Sequence, residues 1–281
     1  MEIIHTVAEM QSRCRALKLA GKRIGLVPTM GALHAGHISL VRAARERCDI
    51  VAVSIFVNPK QFGPTEDFAK YPRTIERDCE LLAAEEVDIV FAPGLAEMYP
   101  ASATTFVLVE GLSEKLDGRS RPGHFRGVTT VVNKLFHVVA PDIAFFGQKD
   151  AAQCAILKKM IHDLGIKVEL AICPIVREGD GLALSSRNAY LNPEERRQSL
   201  VLYRALQLVK SLYDQGERKA AALLAAARRM FREEEEKGVQ IEYSEIVDAE
   251  TLEPVQEAAS GTLVAVAAKV GSTRLIDNIV L

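Results

Sequence analysis

The chain lacks a charge excess: 35 basic residues stand against 37 acidic ones, for a net charge of −2. That balance removes the electrostatic case for nucleic acid as a main partner. It also lacks any C-x-x-C pair. Cys14, Cys48, Cys79, Cys154 and Cys173 are odd in number and widely spaced. They read as buried thiols of a reducing cytosol, not as a disulfide frame or a zinc site. No apolar run approaches the ~20 residues that span a bilayer. The opening M-E-I-I-H-T has no basic-then-apolar signal pattern. Internal repeats and low-complexity tracts are absent, and the expectation is a soluble cytoplasmic protein. What is present is a chain of 281 residues that are 48% hydrophobic, enough for one large domain or two unequal ones.

The chain is organised around residues 24–40, I-G-L-V-P-T-M-G-A-L-H-A-G-H-I-S-L. Residues 24–27 are a short apolar run that reads as a buried strand. Pro28, Thr29 and Gly31 break it, and from Ala35 apolar residues recur at helical spacing at Ile38, Val41 and Ala44. A strand, a tight turn and a helix start follow one another. Such a helix start offers unpaired N–H groups and the positive end of a dipole, a natural seat for phosphate. His34 and His37 lie three residues apart there, on one face of the first turn. Gly36 between them leaves room for a ligand to approach the backbone. Two surface histidines on a helix remain the plain alternative. His-x-Gly-His after a first strand resembles the HIGH motif of the nucleotidyl-transferring α/β superfamily.

The rest of the first half repeats strand and helix. A leading helix is expected over 5–20, strands over 49–57, 87–92, 105–110, 143–146 and 166–173, and helices over 75–86, 128–139 and 151–163. Continuous β-branched runs such as D-I-V-A-V-S-I-F-V are those of strands covered on both faces. The alternation predicts an α/β fold, a Rossmann-like, mostly parallel sheet with helices on both faces. After about residue 175 the character changes to two helical stretches, 194–214 and 217–236, and then to antiparallel strands over 241–247, 262–270 and 273–280. The expected organisation is a domain over 1–175 and a smaller α+β domain over 176–281 that closes over the active site.

Four patches fall where such a sheet does chemistry, beyond the carboxyl ends of its strands. One is His34 with His37. Asn58 and Gln61 follow the strand 49–57, at the start of a long irregular loop that suits an active-site lid over 62–73. Gly147, Gln148, Lys149 and Asp150 follow the strand 143–146, with Gln153 one turn into the next helix. Leu184, Ser185, Ser186, Arg187 and Asn188 lie in a polar loop after the strand 166–173. Lys149 is a point charge on a long stem at a helix start, suited to phosphate. Asp150 either binds Mg²⁺ or caps the helix. Ser185, Ser186 and Arg187 offer two hydroxyls and a guanidinium fork, although S-S-R is common on surfaces. Gln61 and Gln153 are neutral amides that donate and accept, suited to a substrate with hydroxyls and a carboxylate.

Taken together, P-T-M-G-A-L-H-A-G-H, F-V-N-P-K-Q-F-G, Y-P-R-T, G-H-F-R-G-V-T-T-V-V, F-F-G-Q-K-D-A-A-Q and V-R-E-G-D-G-L-A-L-S-S-R-N-A-Y-L resemble the pantothenate synthetase (pantoate–β-alanine ligase) family over residues 24 to about 192. The C-terminal ninety or so residues match in length and layout only. The resemblance implies an ATP-dependent, AMP-forming ligase that joins pantoate to β-alanine through pantoyl adenylate, and a homodimer. It implies that Met30, Gly31, Ala32, Leu33, His34, Ala35, Gly36 and His37 line the ATP site, with Gly147, Gln148, Lys149, Asp150, Val176, Leu184, Ser185, Ser186 and Arg187 around the nucleotide. Lys149, Ser185 and Arg187 would hold phosphates, and His37 would donate a proton on that side. Gln61 and Gln153 would bind pantoate with Asn58 nearby, and Mg²⁺ would arrive on ATP, not in a dedicated protein cage, with Asp150 as a candidate contact. Leu184 stands where the family more often has Met, and His137 where an amide is expected.

Two other readings stay in view. A small-molecule nucleotidylyltransferase would share the His-x-Gly-His turn but leave a lasting nucleotide conjugate instead of AMP. A non-catalytic nucleotide sensor would bind without turnover.

Overall fold

The computed structural model describes residues 1–64, 66–235 and 238–281. In chain order its elements are β1 (Glu2–Ile4), α1 (Val7–Leu19), β2 (Ile24–Thr29), α2 (Ala35–Arg47), β3 (Ile50–Ile55), α3 (Ile75–Ala84), β4 (Ile89–Phe91) and α4 (Leu95–Met98). Then come α5 (Asp117–Ser120), α6 (His124–Val139), β5 (Ile143–Gly147), α7 (Ala151–Asp163) and β6 (Glu169–Cys173). The last part holds α8 (Pro193–Asp214), α9 (Ala220–Glu235), β7 (Val239–Asp248), β8 (Thr262–Val270) and β9 (Thr273–Val280).

By internal contacts the chain divides into two compact units. The first comprises Met1–Glu114, Arg121–Gly147 and Ile156–Cys173. Its strands form a parallel sheet in the order β1-β4-β3-β2-β5-β6. The α/β class expected from the sequence is the one observed. From β2 the chain builds outward through β3 to β4, then returns to the other side of β2 with β5 and β6. The order therefore reverses between β2 and β5, and the crevice beyond their carboxyl ends is where such sheets bind ligands. The core explains the continuous apolar strands. Val27, Val51, Val53 and Phe145 are essentially inaccessible and pack with Val41 and Ala44 of α2. A strand covered on both faces has no polar face to alternate with.

The second unit comprises Lys115–Ser120, Gln148–Ala155 and Pro174–Leu281. Its antiparallel sheet has the order β7-β8-β9. Leu206 of α8 and Leu223 and Phe231 of α9 share a core with Val264 and Val266 of β8. Helix α8 starts where it does because Asn192 accepts from the Glu194 and Glu195 N–H groups while Glu195 returns a bond to the Asn192 N–H, with Pro193 in the first helical position.

One expected strand is absent. Residues 105–110 run without strand pairing. At the middle of the run the backbone bonds go to side chains: the Val107 N–H donates to Thr130 Oγ1 at 3.0 Å, and Thr129 Oγ1 donates to the Val107 carbonyl at 2.6 Å. Phe106 lies under the Arg126 guanidinium, 3.5 Å from its ring centroid. The T-T of helix α6 thus takes the place of a neighbouring strand. Conversely, β1 was not foreseen; it is a three-residue edge strand, too short to display a period. Position Glu236 of the expected helix 217–236 and Thr65 of the expected lid lie outside the described residues. Four of the five cysteines are buried, and burial pushes the Cys14 thiol up to about 11. No helix among the described residues is long and apolar enough to cross a membrane.

Candidate active site

The turn between β2 and α2 is built by polar groups that reach in from elsewhere. Gly31 and Ala32 both have positive φ, 83° and 51°. For alanine that left-handed conformation costs about 1–2 kcal/mol. Asp78 of α3 holds it in place, accepting from the Ala32 N–H at 2.9 Å and the Leu33 N–H at 2.8 Å. A Cβ on Gly31 would come within 3.0 Å of Asp78 Oδ2, so the tight approach of that carboxylate favours glycine there. Asp78 is 1% exposed. Its one readable signal is its place four residues before the core residue Leu82, which puts it on the buried face of α3.

At the end of this turn the two histidines form a reciprocal cap on α2. His34 is the N-cap, and its Nδ1 accepts from the Gly36 N–H at 3.1 Å. His37 Nδ1 accepts from the His34 N–H at 3.3 Å. The rings lie 4.1 Å apart between centroids, tilted by 37°. Because each Nδ1 accepts from a backbone N–H, the ring proton of each neutral imidazole sits on Nε2. Two imidazole N–H donors are thereby oriented at a helix N-terminus, where anions are favoured.

Beyond β3 a 3-10 turn at Pro59–Gln61 carries the expected amide. Asn58 is 1% exposed and fully engaged. Its Nδ2 donates to Gln61 Oε1 at 3.0 Å and to the Gly127 carbonyl at 3.1 Å. Its Oδ1 accepts from the Lys60 N–H at 3.2 Å and from the Tyr99 hydroxyl at 2.9 Å. Asn58 therefore stands behind Gln61 and orients it, with Gln61 Nε2 turned to Met30 Sδ at 3.1 Å. Gln61 is also gripped by its main chain. His124 Nδ1 lies 2.8 Å from the Gln61 carbonyl and Arg121 Nη2 donates to it at 3.3 Å. Arg121 makes a bidentate pair with Glu66, both bonds 2.7 Å, and its Nη1 lies 3.0 Å from His124 Nε2. Arginine can only donate. His124 Nε2 therefore accepts, and its Nδ1–H is the donor to Gln61. Burial pushes the Glu66 carboxyl up, but the Arg121 pair brings it below its ordinary value. Gly127 backs directly onto this turn.

In the second unit, Gln148, Lys149 and Asp150 form a 3-10 turn that runs into α7, with half-buried Gln153 in that helix. Lys149 Nζ lies 3.3 Å from Asp150 Oδ2. Leu184 donates its N–H to the Val176 carbonyl at 3.0 Å, which brings those two predicted residues together. Ser185 caps the turn Ser186–Tyr190 by accepting from the Arg187 N–H at 3.3 Å. Strand β9 braces both loops through Asp277 and Asn278. Sequence reasoning missed these two, as it missed Asp78, Tyr99 and the Glu66–Arg121–His124 cluster. Among the described residues no group of three or more His, Cys, Asp or Glu side chains is placed to hold a metal ion.

The reversing sheet and the capped histidine pair beyond β2 define a Rossmann-like α/β enzyme of the HIGH-motif class. The amide and lysine turns that follow β3 and β5 narrow that class. The chain belongs to the pantoate-beta-alanine ligase family, whose model matches residues 2–280, and it is a ligase. It is 63% identical over 281 residues to the pantothenate synthetase of Koribacter versatilis, covering 100% of this chain and 96% of that one. It is similar to the crystal structure of pantothenate synthetase from Thermus thermophilus, with a TM-score of 0.93, 46% identity and 99% of each chain covered. The pantoate-beta-alanine ligase of Francisella tularensis, complexed with beta-gamma ATP and beta-alanine, matches with a TM-score of 0.83 at 32% identity over 100% of this chain and 97% of that one.

Proposed function

We propose that the protein condenses pantoate with β-alanine, driven by ATP, to give pantothenate, AMP and pyrophosphate through pantoyl adenylate. The observation that carries this reading is the histidine pair, which offers two oriented Nε2–H donors at the N-terminus of α2. Both reactants of the first step are anions, so fixed donors are needed to offset repulsion and stabilise charge growing on phosphate.

A pantoate carboxylate oxygen attacks the α-phosphorus, the bond to the bridging oxygen breaks, and pyrophosphate leaves. His34 and His37 bind phosphate oxygens, with His37 as proton donor on that side. The β-alanine amine then attacks the acyl carbon, the acyl–phosphate bond breaks, AMP leaves and the amine gives up its proton. No covalent enzyme intermediate is required.

Met30 to His37 line the ATP site. Gly147, Gln148, Val176, Leu184 and Ser186 lie at the nucleotide, and Lys149, Ser185 and Arg187 hold phosphates. Gln61 and Gln153 bind pantoate. Asn58 serves by holding Gln61 in orientation, since both of its polar atoms are engaged within the protein. Mg²⁺ would neutralise phosphate charge, and Asp150 is the carboxylate that would hold it beside the ATP phosphates. A cytoplasmic setting is supported by the mostly buried cysteines, and a homodimer by the family resemblance.

The test is pantoate-dependent exchange of labelled pyrophosphate into ATP, without β-alanine. Exchange that requires pantoate, and that His37→Ala abolishes in a folded protein, is the expected result. A folded protein that binds ATP yet gives no exchange overturns the two-step ligase. A lasting nucleotide conjugate in place of AMP would favour a nucleotidyl transferase.

A further inference from the structure

Strand β9 carries near its end two buried polar residues that the ligase chemistry does not use. Asn278 is 2% exposed and Asp277 is 3% exposed. The side chain of Asn278 is fully directed at one target. Its Nδ2 donates to the Gln148 carbonyl and to the Lys149 carbonyl, each at 2.9 Å, and its Oδ1 accepts from Gln148 Nε2 at 3.3 Å. The turn that carries Lys149 is thereby held by an amide about 130 residues away in sequence. Asp277 fixes the backbone of Asn278 in turn, accepting from its main-chain N–H at 2.8 Å. It also takes both arms of Arg177, at 2.6 and 2.9 Å. Arg177 donates to the Gly181 carbonyl at 3.0 Å and stacks on the Tyr203 ring, 4.7 Å from its centroid. The backbone of Arg177 bridges to Ala183, next to the Leu184–Val176 bond.

We propose that Asn278 is a positioning residue for Lys149: its side-chain amide sets the conformation of the Gln148–Asp150 turn, and so the place of the Lys149 ammonium on the nucleotide phosphates. Asp277 and Arg177 hold the Asn278 main chain in register and brace the 176–185 loop from the same strand. The proposal rests on the phosphate role given above to Lys149. Two carbonyl oxygens aimed at one point need a two-hydrogen donor between them, and the Asn278 amide supplies both hydrogens. A carboxylate of the same shape would present an acceptor to those two acceptors and drive the turn open.

The experiment compares Asn278→Asp, Lys149→Ala and the double variant with the unaltered protein. ATP dissociation constants are measured by calorimetry and pantoate-dependent pyrophosphate exchange by label. Asn278→Asp is expected to raise the ATP dissociation constant and the ATP KM at least fivefold while the pantoate KM stays within twofold. The double variant should bind ATP no more weakly than Lys149→Ala alone, because the amide acts through that lysine. Losses that multiply in the double variant, or an Asn278→Asp protein with unaltered ATP binding, overturn the proposal. If Asn278→Asp does not fold, Asn278→Ala, which removes the donor without adding charge, gives the same readout. Failure of both to fold assigns Asn278 to folding alone and also overturns it. Absence of exchange in the unaltered protein strikes instead at the ligase reading, and ATP binding unaffected by Lys149→Ala strikes at the role of that lysine.

Discussion

Adding one methyl group at position 127 tests whether the Gln61 turn depends on the helix behind it. A Cβ built on Gly127 of α6 would stand 2.1 Å from the Lys60 carbonyl oxygen, 2.3 Å from its carbon and 2.5 Å from the Gln61 nitrogen. These are backbone atoms, so no side chain can swing aside. Relief to the 3.4 Å where ordinary contact begins requires about 1.3 Å of movement. The Asn58 bond to the Gly127 carbonyl lies in the path of that shift. Overpacking of this kind costs about 1–3 kcal/mol, while replacing a helical glycine by alanine returns roughly 1 kcal/mol. The net loss of about 0–2 kcal/mol lowers the melting temperature by no more than about 8 °C for a chain of this size. Displacing a substrate-positioning group by about 1 Å can cost on the order of 100-fold in rate. Gly127→Ala should therefore stay folded yet lose roughly 100-fold in kcat/KM for pantoate, read by pyrophosphate exchange with pantoate and ATP varied separately. Kinetics within twofold of the unaltered protein would refute the reasoning. So would an activity loss that tracks unfolding in a thermal melt.

Three further perturbations follow from the same geometry. Burial pushes the Tyr99 phenol up to about 12, so between pH 10 and about 12 the folded chain holds a proton that the unfolded chain has released; stability then falls as pH rises through that window, and Tyr99→Phe should flatten this fall and remove one late-titrating tyrosine from the ultraviolet titration. Burial opposes the charge of Arg274, but Asp117 at 2.7 Å and Glu242 at 2.8 Å raise its pKa well above the ordinary value; Arg274→Met takes the guanidinium from buried Asp117 and leaves it the Tyr243 hydroxyl, which should cost about 3–5 kcal/mol in urea unfolding of the second unit. Arg121→Ala removes the partner of Glu66 and one donor to the Gln61 carbonyl, and should raise the pantoate KM several-fold with the ATP KM unchanged, whereas equal changes in both would remove the proposed link between this cluster and Gln61.

The parts of the molecule that were legible in the sequence are those written in short-range patterns. The buried strands β2, β3 and β5 read as continuous apolar runs because both of their faces are covered. The histidine pair was legible because strand, turn and helix start are contiguous. Residues 105–110 misled because their apolar, β-branched run resembles a strand, while the groups that satisfy the Val107 backbone at its middle are hydroxyls of Thr129 and Thr130, some 22 residues later. Asn58 was read as lying with the substrate groups; its complete set of internal bonds depends on Tyr99 and Gly127, which no local pattern connects to it.

The residues that stand behind the proposed substrate groups share one function. Asp78 holds the turn before His34, Asn58 and the Arg121–His124 pair hold Gln61, and Asn278 holds the turn of Lys149. In each case a buried or half-buried polar group bonds to the backbone or amide beside the group proposed to touch substrate, and most of these contacts cross 45 or more residues of sequence. A reaction between two anions explains the need. Donors that had to reorganise as charge developed would forfeit much of their stabilisation, so they must already be in place. Apolar packing sets the position of a helix or strand but leaves the rotation of a turn's peptide groups free, whereas a hydrogen bond from a rigid neighbour fixes it. Loss of such a brace leaves a buried N–H or carbonyl unpaired, at about 1–3 kcal/mol each, and the turn can recover that energy only by moving. Variants at these bracing positions should for that reason alter binding and rate more than their distance from the reacting atoms would suggest.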